Sequence, residues 1–300
     1  MNKYKIITDS SCDIPTEIRQ AHGVDYFQMG IVVDGQEMPA DLDWKTYTPD
    51  ELYSWLSAGR KLKTTLISVE TFVNKIKEYF DQGIDVLYLG CSTALTGSIN
   101  SFYLAKEMLM DEYPSRRMEA VSTFAAAATL GMLVVDAARE QEKGKDMDEV
   151  MKWVEDNRFF YNQFCTVDTL SYLRDAGRIK GAAAFFGNII GVKPVFISDR
   201  KGNNLVIEKV KGTKNSLNAI YQHCIDAINV NHASRVVIAH SAVPDRAEGL
   251  KQRFLEAGIK EVIIVPLGPI ISITCGPGTI ATFCYGKEVT RYEGDGIQVK

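Results

Sequence analysis

Residues 88–103 read YLGCSTALTGSINSFY, and this stretch decides the fold. The apolar run DVLYLG (85–90) that enters it has the length and composition of a buried strand, and the sequence from 96 onward has a helical pattern. Between them lies a patch of small hydroxyl residues that contains no Lys, Arg or His. A buried strand that passes through such a loop into a helix predicts a parallel α/β sheet with a ligand site at the strand end.

The first half of the chain alternates strands with helices on both sides of this stretch. Strands are predicted at YKIIT (4–8) and MEAVS (118–122), and helices at 125–142 and 147–157. This alternation predicts α/β architecture: an N-terminal Rossmann-like domain over residues 1–158, with a mostly parallel sheet and flanking helices.

Local signals in this half are a turn and two helix caps. DYFQMGIVVDG (25–35) reads as one extended stretch that the turn Asp34-Gly35 closes. Thr48, followed by Pro49, and Ser68 are predicted to cap the next two helices.

The second half is less regular and predicts a C-terminal α+β domain over residues 159–300. Its features are a β-hairpin that turns at 199–204 and further strands and helices. Two apolar segments, 181–192 and 266–274, read as loops that line a cavity or pack the core. Three hundred residues also favour two domains, since single cores seldom grow beyond about 250–300 residues.

Composition and charge exclude several classes of function. A net charge of −4 argues against a general nucleic-acid binder. We find no signal-peptide pattern and no uncharged apolar run of about 18 residues, so we expect no integral membrane segment and no export. The six cysteines are scattered without a C-x-x-C pair and the four histidines are not clustered, which favours a cytoplasmic protein without a metal site. No cofactor is predicted.

Three loops are rich in hydroxyl groups: TDSSCD (8–13), KTTLIS (63–68) and CSTALTGS (91–98). Each is expected at the carboxyl end of a strand, where helix N-termini add unpaired N–H groups and a partial positive charge. Together they suit one anionic oxygen group such as a carboxylate or a phosphate. Turns and helix caps alone would also explain each loop, and spacing does not decide between the two interpretations.

Three other features of the sequence give weaker evidence of a functional site. TCGPGTIA matches a dinucleotide-binding pattern through Gly276, Gly278 and Ala281, but the following residues read as a strand, so we interpret it as a tight turn. His240 ends an apolar strand and is expected to be structural. Arg178 follows a helix end and either caps that helix or contacts an anion; the sequence leaves both open.

Six segments, taken in order, resemble the motifs of the DegV family. They are IITDSSCDIP (6–15), LKTTLIS (62–68), STALTGS (92–98), LSYLRDAGRI (170–179), NIIGVKPVF (188–196) and GPIISITCGPG (268–278). Members of this family are two-domain proteins that bind one fatty acid between the domains. Some serve as the binding subunit of a bacterial fatty acid kinase. The resemblance therefore implies a lipid-binding protein whose ligand is a long-chain fatty acid or acyl phosphate, with a separate ATP-dependent kinase subunit as a further partner.

The resemblance also implies roles for single residues. It assigns the ligand carboxylate to Thr64 and Thr96, and to Thr274, which stands where the family pattern has a histidine. Threonine donates a hydrogen bond but carries no charge near pH 7. Lys211 corresponds to a basic position implicated in kinase contact, and the departure at Thr274 leaves that partnership open. Residues implied to shape the pocket are Thr65, Ser92, Thr93, Gly97, Ser98, Arg178, Gly276, Pro277 and Gly278.

Two other classes of function stay open at this stage. The first is a stand-alone enzyme for acyl or phosphoryl transfer, with Asp9 or Asp13 as base and the hydroxyl-rich loops as an anion cradle. The second is a regulatory or scaffold protein whose side chains fill the gap between the domains. We favour a non-catalytic binding protein, because the sequence has no nucleotide-binding motif and no evident pair of nucleophile and base.

Overall fold

The structure, a computed structural model, describes residues 3–180, 191–228, 235–292 and 298–299. Strands and helices alternate through the first half of the chain. The strands there are β1 (Tyr4–Asp9), β2 (Asp25–Phe27), β3 (Gly30–Val33), β4 (Gln36–Pro39), β5 (Leu62–Thr65), β6 (Asp85–Gly90) and β7 (Met118–Ser122). The helices are α1 (Thr16–Ala21), α2 (Pro49–Ser57), α3 (Val69–Asp81), α4 (Ser98–Met110), α5 (Ala127–Glu142) and α6 (Met147–Asn157).

The second half begins with a single 3₁₀ turn at Arg158–Phe160 and continues with strands and fewer helices. The strands are β8 (Tyr161–Thr166), β9 (Val192–Ser198), β10 (Asn204–Lys211), β11 (Arg235–His240), β12 (Glu261–Pro266), β13 (Ile280–Tyr285) and β14 (Gln298–Val299). The helices are α7 (Ser171–Asp175), α8 (Thr213–Ala227), α9 (Pro244–Glu256) and α10 (Pro269–Cys275).

The predicted parallel sheet is confirmed. Its order is β2-β1-β6-β7 and every neighbouring pair is parallel. All six residues of β6 are buried, because helices cover both faces of the sheet. Leu87 and Leu89 pack in a cluster that contains α5, whereas Val86 and Tyr88 pack against Phe72 of α3 and its neighbours.

The second half forms a mixed sheet, which confirms the α+β prediction. Its order is β12-β11-β13-β8-β9-β10-β14, and its central pairs are antiparallel. β11 and β12 are parallel neighbours that α9 connects. The hairpin predicted to turn at 199–204 is β9–β10.

The interpretation of residues 25–35 as one extended stretch is wrong. β2 pairs in the parallel sheet, whereas β3 belongs to a separate antiparallel sheet of order β4-β3-β5. Met29 lies between the two strands, and its N–H donates to the Ser10 hydroxyl at 2.8 Å, which directs the chain from one sheet to the other. The Asp34-Gly35 turn is confirmed, with φ values of 50° and 89°.

This small sheet also corrects the expectation for residues 63–68. KTTLIS lies on β5, an antiparallel strand beside β3, and in the loop after it, not at the carboxyl end of a parallel strand. The caps at Thr48 and Ser68 are confirmed, each accepting a backbone N–H three residues on.

The apolar segment at 266–274 is largely helical, so its interpretation as a loop is wrong. Pro269 opens α10 as its first residue, and Gly276 ends the helix with φ +83°. Seven residues, most of them buried, do not show the periodic pattern by which a sequence reveals a helix. Of the other segment, only residues 191 and 192 fall within the described ranges.

Helix α5 connects the two halves of the fold. Eleven of its 16 residues are buried. One apolar cluster joins α5 to residues of the parallel sheet such as Ile6 and to residues of the mixed sheet such as Phe283. A helix that is apolar on all sides lies inside a core. The division into two domains at residue 158 stays a prediction; α6 ends at 157 and β8 begins at 161.

Candidate functional site

A cavity of about 400 Å³ lies where the parallel sheet meets the mixed sheet. This volume falls in the range of roughly 300–1,000 Å³ typical of small-molecule sites. Loops after three adjacent parallel strands line one side of it. They contribute Ser11 after β1, Thr96 and Gly97 after β6, and Ala126 and Ala127 after β7. The carboxyl edge of the sheet therefore faces the cavity, as the opening stretch predicts.

The mixed sheet supplies another wall. Ala281 pairs with Cys165 and Phe283 with Gln163, while Cys165 also pairs with Phe196 on β9. Paired residues on neighbouring strands point to the same face of a sheet, so these five side chains share one surface, and all of them line the cavity.

The remaining walls come from α10 and from the end of β5. They carry further apolar side chains together with two threonines, Thr64 and Thr274. The apolar lining residues from these and nearby segments are Met29, Leu66, Leu95, Leu267, Ile270 and Ile271. The cavity is thus mainly apolar and carries a limited set of polar groups.

The three threonines implied as carboxylate ligands all line this cavity, but their hydroxyls differ in their partners. The Thr64 hydroxyl makes no hydrogen bond within the described part of the chain. Thr96 Oγ1 lies 2.9 Å from Ser98 Oγ and accepts the Ser98 N–H. Thr274 Oγ1 donates to the Ile270 carbonyl oxygen at 2.7 Å. Thr64 and Thr96 therefore have a hydroxyl able to donate to a ligand, whereas the proton of Thr274 is already engaged.

Two helix N-termini open onto the same cavity. Gly97 is the N-cap residue of α4 and Ala126 that of α5, and neither offers a capping side chain. The first N–H of α4 donates to Thr96 Oγ1 and that of α5 donates to the Ser11 carbonyl oxygen. The helix dipole still places a partial positive charge of about half a unit at each helix start, which favours an anionic group there. The cavity thus presents a weak positive potential at the hydroxyl-rich loops.

Asp9 holds two of these loops in place. Its buried carboxylate accepts the N–H and the hydroxyl of Ser11, at 3.0 and 2.5 Å. Its other oxygen accepts the Tyr88 hydroxyl at 2.7 Å and the Cys91 N–H at 2.8 Å. Four donors occupy this carboxylate, so its role is to fix the geometry of the loops after β1 and β6.

Arg178 contacts the end of its helix, one of the two roles that the sequence left open, and contact with an anion stays a prediction. It lines the cavity, its NH1 donates to the Ala176 carbonyl at the end of α7, and its Nε donates to the Leu95 carbonyl at 2.6 Å. It thereby ties the second half of the chain to the loop after β6 and places a positive charge at the edge of the cavity.

The other residues implied to shape the pocket fall into two groups. Thr65 and Gly97 line the cavity. The remaining positions lie outside its lining and organise turns: Ser92 Oγ accepts the Ala94 N–H, and Gly276 ends α10. Those outside the lining are Ser92, Thr93, Ser98, Gly276, Pro277 and Gly278. Lys211, implied as a partner contact, is exposed at the end of β10.

Several lining residues were not identified from the sequence. Gln163 Nε2 donates to Asn204 Oδ1 at 3.1 Å, which places an amide pair in the cavity wall. Thr279 and the alanines at 126 and 127 also line it. The signal for the alanines was their position in the segment that leads from a parallel strand into the next helix. Gln163 and Asn204 give no signal, because one reads as strand and the other as turn.

The described lining of the cavity has no acidic or basic side chain suited to serve as a general base. Within the described residues its lining contains no Asp, Glu, His or Lys. Burial raises the pKa of the lining thiols of Cys91, Cys165 and Cys275, so they are neutral at physiological pH. Asp13, one of the two candidate bases, lies outside the lining, and Asp9 is saturated with donors.

The described ranges contain neither a metal-binding cluster nor a helix that could span a membrane. No group of three or more His, Cys, Asp or Glu side chains there could hold a metal ion. None of the helices in those ranges combines the length and the apolar character that crossing a bilayer would need.

Comparison with known proteins identifies the class to which this fold and cavity belong. The family model described as "Uncharacterised protein, DegV family" matches residues 3–287. The DegV domain-containing protein CPE0026 of Clostridium perfringens is 33% identical over 287 residues, which is 95% of this chain and 98% of that protein. The chain therefore belongs to the DegV family.

Two solved structures extend the comparison. The first is described as fatty acid binding of a DegV family protein from Thermus thermophilus; it is 28% identical, has a TM-score of 0.83, and the match covers 95% of this chain and all of that one. The second, the fatty acid binding DegV family protein SAG1342 of Streptococcus agalactiae, is 25% identical with a TM-score of 0.81, covering 96% of this chain and all of that one. These relatives are described by the ligand they bind, in agreement with the prediction of a binding protein rather than a catalyst.

Proposed function

We propose that this chain binds one long-chain fatty acid in the cavity between its two halves. The observation that carries the proposal is the composition of one continuous lining. Apolar side chains from both sheets and from α10 line the space, and the same lining includes Thr64, Thr96 and the starts of two helices. The two solved relatives bind fatty acids by their description and share the fold, which supports the same ligand class here.

The acyl chain supplies most of the affinity. Each buried methylene contributes about 0.8 kcal/mol, so about fourteen of them contribute roughly 11 kcal/mol before the costs of association. A helix N-terminus stabilises an anion by only about 0.3–2 kcal/mol. The threonine hydroxyls and the helix starts therefore orient the carboxylate and discriminate against ligands without one.

The lining also separates this proposal from the alternatives. A cavity of about 400 Å³ argues against a scaffold whose side chains fill the gap. The absence of Asp, Glu, His and Lys from the described lining argues against transfer chemistry by the isolated chain.

Native mass spectrometry of the purified chain tests the proposal. We expect a single bound species of fatty-acid mass, or its appearance after incubation with palmitate at a stoichiometry of one. Hexadecane and 1-hexadecanol serve as ligands with the same tail and no carboxylate. Protein that stays free of palmitate would refute the proposal, and equal binding of hexadecane would refute the carboxylate site.

The proposal extends to a kinase partner. We propose that the bound acid can be presented to a separate ATP-dependent kinase subunit, with the exposed Lys211 as a contact. The test is formation of acyl phosphate when the loaded chain, ATP and a fatty acid kinase subunit are combined. No product with wild-type protein and with Thr274→His would restrict the function to binding and transport. We retain a cytoplasmic location within the proposal, because all six cysteines are buried and unpaired.

A further inference from the structure

The mixed-sheet wall of the cavity carries one amide side chain among apolar ones. Gln163 lies on the cavity-facing side of β8, and the side chains that share this surface and line the cavity with it are Cys165, Phe196, Ala281 and Phe283. Successive residues of a strand point to opposite faces, so Phe164 and Thr166 point away from the cavity. The Gln163 amide thus interrupts a surface that otherwise suits a hydrocarbon chain.

The neighbours of Gln163 fix the orientation of its amide. Asn204 Nδ2 donates to the Arg178 carbonyl oxygen at 2.9 Å, so Asn204 turns its Oδ1 toward Gln163. This oxygen accepts the N–H of Gln163 Nε2 at 3.1 Å. On the other side, the Thr129 hydroxyl of α5 lies 3.5 Å from Gln163 Oε1, which is long for a hydrogen bond. The reverse orientation would place two acceptor oxygens against each other.

This amide keeps hydrogen-bonding capacity that the described residues do not use. A glutamine side chain offers two N–H groups and two lone pairs on its oxygen. The described part of the chain takes one N–H, through Asn204, and one lone pair at most, through Thr129. Gln163 is 6% exposed, and the cavity is the open space that its side chain borders. Because buried polar groups without partners are costly, a ligand with a matching group is stabilised here.

A hydroxyl group matches the capacity that remains. It can accept from the second N–H or donate to the free lone pair, and it brings no charge into an apolar wall. A keto oxygen can use only the N–H, and a methyl branch can use neither. The carboxylate of the ligand is assigned above to Thr64 and Thr96, on segments of the first half of the chain, so the hydroxyl is a second polar group of the same ligand.

We propose that the Gln163 amide selects a fatty acid that carries a hydroxyl group on its acyl chain and hydrogen-bonds to that hydroxyl. This inference rests on the proposed fatty-acid binding and names the class of acid that is preferred. A site with a buried amide discriminates against a ligand that leaves the amide unpaired, which gives the wall a role in specificity.

Displacement of a fluorescent fatty acid from the wild-type chain tests the proposal. The ligands are stearate, 10-hydroxystearate, 12-hydroxystearate and 10-methylstearate, whose branch is similar in size to a hydroxyl but has no oxygen. We expect one of the hydroxystearates to bind at least about 3-fold more tightly than stearate and at least about 10-fold more tightly than 10-methylstearate. A smaller preference would show that the protein or water satisfies Gln163, and would refute this inference while fatty-acid binding stands. Failure of all four ligands to bind would refute the fatty-acid proposal itself.

Two variants localise the preference. Gln163→Leu removes the amide at similar volume, so we expect the preferred hydroxystearate to bind at least about 10-fold more weakly and stearate to bind at least as tightly as to wild type. Thr166→Val is the matched control on the opposite face of β8. Thr166 Oγ1 has no hydrogen-bond partner in the described part of the chain, so both affinities should stay within about 2-fold.

Circular dichroism checks the fold of both variants. A hydroxystearate preference that persists in folded Gln163→Leu would refute the assignment to Gln163. If Gln163→Leu does not fold, the comparison of the four ligands on the wild-type chain decides alone.

Discussion

The Thr274 hydroxyl donates to the Ile270 carbonyl oxygen at 2.7 Å, within one turn of α10. This hydrogen bond leaves Thr274 able to accept, but not to donate, toward the cavity that it lines. If the chain binds a fatty acid as proposed, we expect the position at which the DegV pattern has a histidine to contribute little to carboxylate binding, unlike Thr64 and Thr96.

We therefore expect Thr274→Val to change the dissociation constant for palmitate by less than about 3-fold, since the hydroxyl proton is used inside the helix. Thr274→His would place a donor at the carboxylate and strengthen binding. Displacement of a fluorescent fatty acid from the purified variants measures both. A loss well above 10-fold in Thr274→Val would show that this hydroxyl reorients to the ligand.

Thr96→Val should weaken palmitate binding by about 10-fold or more, because a hydrogen bond to an ionised carboxylate is lost. Thr93→Val is the matched control: Thr93 belongs to the same loop but is exposed and does not line the cavity. The same displacement assay, with 1-hexadecanol as the second ligand, separates head-group recognition from tail burial. Equal affinities of the two variants for palmitate would remove Thr96 from the site.

Asp9→Asn should lower the free energy of unfolding by about 2–4 kcal/mol, since an amide cannot accept all four hydrogen bonds from the donors that surround it. Urea unfolding followed by circular dichroism measures the change. Asp34→Asn, at an exposed ion pair with Arg60, is the control and should cost less than about 1 kcal/mol. A similar small cost at both positions would contradict the structural role of Asp9.

We expect Asp13 to make the stability of the fold depend on pH. Burial is the main cause that raises its pKa above the ordinary value, with a smaller rise from Asp9, while the Gly268 N–H lowers it. Because the folded chain holds this proton more tightly than the unfolded chain, the contribution of Asp13 falls as pH rises from about 4 toward the folded pKa. Asp13→Asn removes this dependence.

The measurement for Asp13 is urea unfolding of wild type and Asp13→Asn at pH 5 and pH 7. We expect the difference in unfolding free energy to shift in favour of the variant at pH 7. A constant difference at the two pH values would contradict a raised pKa in the folded chain.

The sequence predicted the parallel sheet and half of the cavity for a physical reason. Thr96 and Ser11 follow buried strands, and the carboxyl ends of parallel strands meet at one edge. Thr64 lines the same cavity from β5, an antiparallel strand of another sheet, and the sequence did not predict this placement. Its hydroxyl was identified through the family resemblance.

Residues whose role depends on distant partners could not be predicted. Gln163 and Asn204 are 41 positions apart and meet only because β8, β9 and β10 are neighbours in the mixed sheet. Helix α10 was not predicted, because a short helix that is buried on most sides lacks the alternation of apolar and polar residues by which a sequence indicates a helix.

Helix α5 limits which segments of this protein can be exchanged with those of a relative. Its side chains complete the interior of both halves, although the predicted boundary between the halves, at residue 158, lies after the helix has ended. A hybrid joined at that point from two relatives would pair one parent's α5 with the other parent's sheet, leaving mismatched surfaces against each other. Modular exchange within the family therefore has to carry this helix and both of its contact faces together, and heating should melt both halves in a single calorimetric transition.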